Sequence, residues 1–166
     1  QIIEDVLSLS RQQKPERVLI RLKTWLPTFI DEHFANQTVT LTCVSTSSIL
    51  FDKHQLEQVL INLINNGLRF AGKVNSKPAV TLEVTTTNQF VHIDVIDNGT
   101  GVLSEHLTFL FDPFFTTKPI GQGTGLGLSI SYGIAKDHGG KLLVANHAQG
   151  GAEFSLVLPK PQEQSH

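Results

Sequence analysis

The spacing of apolar residues along the chain changes repeatedly between the two periods that distinguish helices from strands. Recurrence every three to four residues predicts helices in 2–9, 23–37, 53–71 and 125–138. Alternation predicts strands in 17–22, 38–44, 79–86, 90–96, 141–147 and 152–159, with a short apolar step at 49–51. The predicted fold is therefore α/β (α+β), a two-layer sandwich with three helices on one face of a mixed, mostly antiparallel sheet.

Residues that are common at helix ends support the predicted first and last residues of the helices. Asp52 precedes the longest helix and is predicted to be its N-cap. Gly139 and Gly140 follow the last helix, where glycine commonly ends a helix. Pro27 is predicted to lie near the first turn of its helix, where proline is tolerated.

Composition narrows the class of protein. The chain has 166 residues, of which 40% are hydrophobic and 17% charged, and this suits one globular domain rather than general disorder. The formal net charge of -2 leaves no basic surface, so nucleic acid is not expected as a partner. Cys43 is the one cysteine, which favours a reducing compartment, and we expect it to be a buried strand residue beside Val39 and Leu41.

The two ends of the chain are expected to lie outside the domain. Residues 1–14 have the apolar stripe of a helix that began upstream, 15–159 form the domain, and 160–166 are a frayed polar tail. Methionine is absent and the chain starts at Gln1, which is typical of a fragment. No apolar run is long enough to cross a bilayer and no signal peptide opens the chain, so a soluble, cytoplasmic domain is expected.

Glycine is concentrated in the second half, where eleven of the 13 glycines lie between positions 99 and 151. No G-x-G-x-x-G follows a strand and no G-x-x-x-x-G-K-[ST] occurs, which excludes a Rossmann site and a P-loop. Four glycines alternate into an apolar helix at 121, 123, 125 and 127. Such a segment can present N–H groups and a helix dipole to an anion, although a flexible linker would have the same composition.

The longest helix carries a polar stripe beside its apolar face. Asn62 and Asn66 are one helical turn apart on this stripe, and Arg69 follows them. Asparagine favours helices weakly, so this pair indicates a functional role, with a solvated helix surface as the alternative.

Asp97 ends the strand at 90–96, where a carboxylate can be directed into a pocket. Gly99 and Gly101 follow it closely, so nothing bulky would block a ligand. The alternative is an Asx turn, which "DNG" segments commonly form.

The connection from 102 to 124 has little regular pattern and contains four of the ten phenylalanines. Long connections in compact domains are usually functional or disordered, and disordered linkers avoid aromatic residues. The segment is therefore expected to be a lid. Lys118 within it could contact a phosphate or could be a surface lysine.

Five segments, in this order, resemble the N, G1, F, G2 and terminal glycine boxes of sensor histidine kinases: "HQLEQVLINLINNGLRFA", "DNGTG", "FDPFFTTK", "GTGLGLSI" and "GGAEFSLVLP". The resemblance covers about residues 52 to 159. It implies the Bergerat ATP-binding fold shared with gyrase B, Hsp90 and MutL. The pair "VLSLSR" and "KTWLPTFIDEHF" is similar to sensor kinases that control type IV pili.

The resemblance also implies roles for individual residues toward ATP and Mg²⁺. Asn66 is the expected Mg²⁺ ligand with Asn62 beside it, Arg69 contacts phosphate, and Asp97 accepts a hydrogen bond from the adenine amino group. The residues expected around the nucleotide are Asn66, Phe70, Asp97, Gly99, Gly101, Phe111, Phe114, Phe115, Lys118, Gly123, Thr124, Gly125, Leu126 and Gly127.

The chain departs from the family pattern at two points. Gly67 stands where alanine is usual, and because glycine keeps the position small, nucleotide binding is expected to survive. No histidine of the chain matches the phosphoacceptor box, so the resemblance places the acceptor on an upstream dimerisation domain. The expected partners are that domain and a cognate response regulator. The full-length protein is expected to be a homodimer, and its attachment to a membrane stays open.

Two alternatives to a histidine kinase remain at this point. In stand-alone ATPase clamps of the gyrase or Hsp90 kind, a glutamate one turn before the magnesium asparagine activates water. That position is Asn62 here, which cannot act as a base, so hydrolysis by this domain alone is expected to be very slow. The other alternative is a nucleotide-binding scaffold without catalytic activity.

Overall fold

The structure is a computed structural model that describes residues 15–43, 47–101, 126–146 and 150–161. The helix predicted within residues 1–14 lies outside this part of the chain. So do the phenylalanine-rich connection and most of the glycine run, at 102–125, and the end of the tail at 162–166.

The described residues form seven strands and three helices. The strands are β1 (Arg17–Arg21), β2 (Thr38–Cys43), β3 (Ser48–Asp52), β4 (Ala79–Thr86), β5 (Phe90–Asp97), β6 (Lys141–Asn146) and β7 (Ala152–Pro159). The helices are α1 (Leu22–Phe34), α2 (Lys53–Gly72) and α3 (Leu126–Asp137).

Five strands form one sheet in the order β2, β4, β5, β7, β6. β2 pairs with β4 in parallel, whereas the three other pairs are antiparallel. β1 and β3 form a separate antiparallel ribbon. With the three helices packed on the sheet, this architecture confirms the predicted two-layer sandwich.

The core lies between the sheet and the helices. Alternate residues of β4 and β5, such as Leu82 and Ile93, are fully buried, as are Leu56 and Leu60 of α2. Removing each such side chain from water contributes roughly 1.5–3 kcal/mol. Cys43 is half-buried and packs against this core, as expected for a strand residue. No helix in the described ranges is long and apolar enough to cross a membrane.

The first helix begins earlier than predicted. β1 ends at Arg21 and α1 begins at Leu22, which is fully buried on the same face as Leu26 one turn later. Pro27 consequently lies inside α1, beyond its first turn, so the predicted position of this proline is wrong. Proline there removes one backbone hydrogen bond, and burial of the two leucines offsets this loss.

The predicted N-cap of α2 is confirmed. Asp52 Oδ1 accepts a hydrogen bond from the backbone N–H of Gln55 at 3.1 Å. Its Oδ2 accepts another from the N–H of Glu16 at 2.8 Å, so the same carboxylate also fixes the chain before β1.

The predicted end of α3 is confirmed as well. Gly139 adopts a φ of 75°, in the region that favours glycine. The N–H groups of Gly139 and Gly140 donate to the carbonyls of Lys136 and Ala135 at 3.0 and 2.9 Å. This pair of hydrogen bonds is the Schellman motif.

His138 joins the end of α3 to the start of α2. Its ring is 6% exposed and stacks on Phe51 with 3.6 Å between the ring centroids. Nε2 accepts from the N–H of Asp52 at 3.2 Å, so Nδ1 must carry the hydrogen and donate to the carbonyl of Ile134 at 2.8 Å. The folded domain therefore requires the neutral ring.

Acid is expected to destabilise the domain through His138. Burial lowers its pKa, the hydrogen bond to Ile134 opposes this, and the charge of Arg17 adds to the lowering, while Asp52 and Asp137 oppose it. The stability that neutral His138 contributes is complete above the ordinary histidine pKa. It is lost as the pH falls from there through the lowered value, because the unfolded chain takes up the proton first.

Urea unfolding over the neutral to mildly acidic range checks this expectation. His138→Gln should flatten the fall in the free energy of unfolding with acid, and His33→Gln, at an exposed position of α1, should leave it unchanged. Equal slopes for the wild type and His138→Gln would contradict the assignment.

Candidate functional site

Asp97 is the last residue of β5 and has 3% of its surface exposed. Its Oδ1 accepts hydrogen bonds from the N–H groups of Gly99 at 2.8 Å and Ala152 at 3.2 Å. Its Oδ2 is buried without a hydrogen-bond partner in the described part of the chain. Burial raises the pKa of Asp97, against the lowering effect of the two backbone hydrogen bonds. The Asx-type contact with Gly99 thus uses one oxygen, and the other is an acceptor suited to a ligand N–H group.

Glycines allow the backbone to approach Asp97 closely. Gly151 has a φ of +87°, and a Cβ atom on it would overlap the carbonyl group of Asp97. A Cβ on Gly99 would lie 3.0 Å from the carbonyl oxygen of Phe70, so the turn after β5 touches the end of α2. Gly101 also has a φ of +87°. A Cβ on Gly101 would lie 2.5 Å from Oδ1 of Asn146, so a side chain there would displace β6, whereas side chains at Gly99 and Gly151 would displace α2 or β5.

Gly67 brings α2 into contact with the same carboxylate. A Cβ atom here would lie 2.9 Å from Cγ2 of Val80 and 3.3 Å from Cβ of Asp97. Glycine in a helix interior costs about 1 kcal/mol relative to alanine. In this domain the residue permits a closer approach of α2 to β4 and β5 than a side chain would allow.

Three of the predicted residues meet on the last turns of α2. Asn66 Oδ1 accepts a hydrogen bond from Nη2 of Arg69 at 3.0 Å. The guanidinium Cζ lies 4.5 Å from the centre of the Phe70 ring, and Nη1 is buried without a partner among the described residues. Burial lowers the pKa of Arg69, although a guanidinium stays charged near neutral pH. Asn66, Arg69 and Phe70 thus form one cluster that carries a positive charge.

Asn62 is held by a different element. Its Nδ2 donates to Oγ of Ser131 on α3 at 3.3 Å. Ser131 is fully buried and was not among the residues predicted for the site. The signal that could have identified it is a serine within the apolar stripe of a helix.

The side chain of Asn98 connects the turn after β5 to the loop after α2 through two hydrogen bonds. Its Oδ1 accepts from the N–H of Ala79 at 3.0 Å, and its Nδ2 donates to the carbonyl of Lys77 at 3.1 Å. Asn75 Nδ2 in turn donates to the backbone carbonyl of Asn98 at 3.1 Å. These contacts fix the loop beside Asp97.

Asn98→Ala is expected to lower the free energy of unfolding by about 1–2 kcal/mol, because it removes two side-chain hydrogen bonds. Asn98→Asp keeps the acceptor for Ala79 and loses the donor for Lys77, so it should show part of this loss. Urea unfolding measures both variants. An alanine variant as stable as the wild type would show that these contacts contribute nothing.

Part of the predicted site lies outside the described residues. This holds for Phe111, Phe114, Phe115, Lys118, Gly123, Thr124 and Gly125. Leu126 and Gly127 are the first residues of α3, and their surroundings are not described. In the described ranges no group of three or more His, Cys, Asp or Glu side chains could hold a metal ion.

Comparisons with known proteins agree with this geometry. The family model of histidine kinase-, DNA gyrase B-, and HSP90-like ATPases matches residues 51–162. A sensor protein kinase PilS of Pseudomonas aeruginosa is 34% identical over 171 residues, an alignment that covers 99% of this chain and 32% of the relative. The chain thus spans about a third of the length of that relative.

Solved structures give the same result for the fold. The catalytic domain of the histidine kinase ThkA superposes with a TM-score of 0.74 and 28% identity, covering 87% of this chain and 96% of that domain. ThkA in complex with the response regulator TrrA has a TM-score of 0.77 at 24% identity, covering 96% of this chain and 46% of that chain.

Proposed function

The chain belongs to the family of histidine kinase-, DNA gyrase B-, and HSP90-like ATPases, and we propose that it is the ATP-binding catalytic domain of a two-component sensor histidine kinase. In this role it holds Mg²⁺-ATP while the γ-phosphoryl group moves to a histidine outside this chain. The single observation that carries the proposal is the buried Oδ2 of Asp97, which has no hydrogen-bond partner among the residues that the structure describes.

Asp97 suits the recognition of adenine. An ionised carboxylate offers acceptors only, so Oδ2 would accept a hydrogen bond from the exocyclic amino group of adenine. Guanine has a carbonyl oxygen at that position, which would face the carboxylate as acceptor against acceptor.

Asn66 and Arg69 suit the phosphate end of the same nucleotide. Arg69 would bind phosphate oxygens, for which Nη1, without a partner in the described part of the chain, provides donors. Asn66 would bind Mg²⁺ through its amide oxygen, with Asn62 beside it. That oxygen accepts a hydrogen bond from Arg69 in the structure and would exchange this contact for the metal as Arg69 turns to the phosphates. Mg²⁺ takes few protein ligands together with phosphate and water oxygens, and it would neutralise charge on the triphosphate.

The domain's contribution to phosphoryl transfer is to orient the triphosphate and to balance its charge, which account for most of the catalysis in such reactions. The histidine acceptor would lie on an upstream dimerisation domain, and the phosphoryl group would pass on to a response regulator. ThkA, whose catalytic domain is 28% identical, has been solved with the response regulator TrrA. The 34% identity to PilS favours the type IV pilus subgroup of sensor kinases.

A self-contained ATPase clamp is the second candidate, because gyrase B-like and HSP90-like ATPases belong to the same family. The position from which such enzymes activate water is Asn62, and its amide donates to Ser131. An amide cannot act as a general base, which favours the kinase.

Calorimetry with ATP, ADP and GTP, with and without Mg²⁺, tests the proposal. A kinase domain should bind adenine nucleotides in preference to GTP and release phosphate very slowly on its own. Joined to its upstream segment, it should form acid-labile, alkali-stable phosphohistidine. Rapid hydrolysis by the isolated chain would favour the clamp, and absence of nucleotide binding would refute both.

A further inference from the structure

Two polar side chains meet where α2 contacts α3. Asn62 is half-buried and its Nδ2 donates to Ser131 Oγ over 3.3 Å, and Ser131 has 0% of its surface exposed. Both helices contribute aliphatic side chains such as Leu63 and Ile130 to the core beside this contact. A buried hydroxyl is destabilising unless it pairs, so the hydrogen bond to Asn62 offsets the burial of Ser131.

In the structure the hydrogen bond turns Nδ2 of the Asn62 amide toward Ser131. An asparagine side chain has donors on Nδ2 and an acceptor on Oδ1, at separate corners of one rigid plane. Because Nδ2 is held toward Ser131, Oδ1 lies on the side of the amide away from that serine. An amide oxygen can bind a cation or a cation-bound water, whereas an N–H group in its place would repel both.

Ser131 also belongs to the helix into which the glycine run leads. α3 begins at Leu126, so Ser131 lies within the first two turns of a helix whose N-terminus carries partial positive charge. Asn62 lies one turn before Asn66 on α2. The hydrogen bond therefore joins the two helices that the proposed function places around the phosphates.

We infer that Ser131 is a positioning residue for the phosphate end of the site, where it holds the Asn62 amide oxygen in the orientation that serves Mg²⁺-ATP. The inference rests on the proposed function. Ser131 does not touch the nucleotide itself and acts through Asn62.

A double-mutant cycle with Mg²⁺ as a variable tests this role. Calorimetry compares the wild type, Ser131→Ala, Asn62→Ala and the double variant, each with ATP plus Mg²⁺ and with ATP plus a chelator. Ser131→Ala should weaken Mg²⁺-ATP binding by about five- to tenfold and metal-free ATP binding by less than about twofold. In the Asn62→Ala background the further loss should be below about twofold, because the partner is gone.

Ser155→Ala is the control, because Ser155 is a half-buried serine of β7 that lies opposite Asp94 rather than beside the proposed site, and it should leave the Mg²⁺ dependence unchanged. If Ser131→Ala does not fold, Ser131→Cys replaces it, because cysteine keeps the size but is a weak acceptor. The inference would be overturned if Ser131→Ala lowered the affinity for ATP equally with and without Mg²⁺. It would also be overturned if Ser131→Ala lowered the affinity as much in the Asn62→Ala background as in the wild type. A wild-type chain that binds no ATP would instead refute the proposed function.

Discussion

Asp97→Asn is expected to lower the affinity for ATP by about one to two orders of magnitude while the domain stays folded. A hydrogen bond to a charged acceptor is worth roughly 1.5–3 kcal/mol. Asparagine keeps an oxygen for the N–H groups of Gly99 and Ala152 and places an amide N–H₂ where Oδ2 now lies. That group would face the adenine amino group donor against donor. Isothermal titration with ATP measures the loss.

The same substitution should leave the free energy of unfolding of the ligand-free domain unchanged or higher. Burial raises the pKa of Asp97, so the folded state holds the ionised carboxylate less favourably than the unfolded chain does. Stability due to Asp97 therefore falls as the pH rises from the ordinary aspartate pKa through the raised value. Asparagine does not ionise, so this loss of stability with rising pH is absent from the variant. The free energies of unfolding of the variant and the wild type, measured with urea, should therefore agree below the ordinary aspartate pKa and differ above the raised pKa of Asp97.

Asp94→Asn is the matched control, because Asp94 lies on the same strand and points to the opposite face of the sheet. It should bind ATP as the wild type does. If Asp97→Asn bound ATP with unchanged affinity, Asp97 would not lie in the nucleotide pocket.

Gly151→Ala is expected to lower the free energy of unfolding by about 2–5 kcal/mol. The φ of +87° is unfavourable for a residue with a side chain, by about 1–2 kcal/mol, and the overlap with the Asp97 carbonyl adds about 1–3 kcal/mol. Small domains are stable by only about 5–15 kcal/mol, so a large fraction of the variant could unfold on mild heating. Urea unfolding measures the change.

Gly133→Ala provides the control, because a Cβ at this position of α3 would meet nothing within 4 Å. It should stabilise the domain by up to about 1 kcal/mol, from helix propensity alone. A Gly151→Ala variant with the stability of the wild type would mean that β7 can move away from Asp97 without loss.

Local patterns were sufficient to predict the fold class and the ends of most elements. Alternation of apolar residues on β5 and β7 and the caps at Asp52 and Gly139 depend on neighbours within a few positions, so the sequence displays them directly. The start of α1 lies one residue earlier than predicted because burial of Leu22 and Leu26, a tertiary effect, decides where this helix begins. Local preference is overridden by packing in such cases.

The spacing of apolar residues does not predict contacts between residues that are far apart in the sequence. The sequence around each residue does not show that the N–H of Ala152 donates to Asp97, or that Oγ of Ser131 accepts a hydrogen bond from the Asn62 amide. The resemblance to known motifs supplied Asp97, Asn66 and Arg69 as members of one site, and the structure adds which oxygen of Asp97 has no partner within the described ranges.

The strand order has a consequence for biosynthesis. β7 is the last described strand in chain order, yet it pairs with the central strand β5, and Ala152 at its start holds the carboxylate of Asp97. A nascent chain that already contains α2 and β5 would still lack this support. The carboxylate proposed to bind adenine should therefore be fixed in place only after β7 has been synthesised.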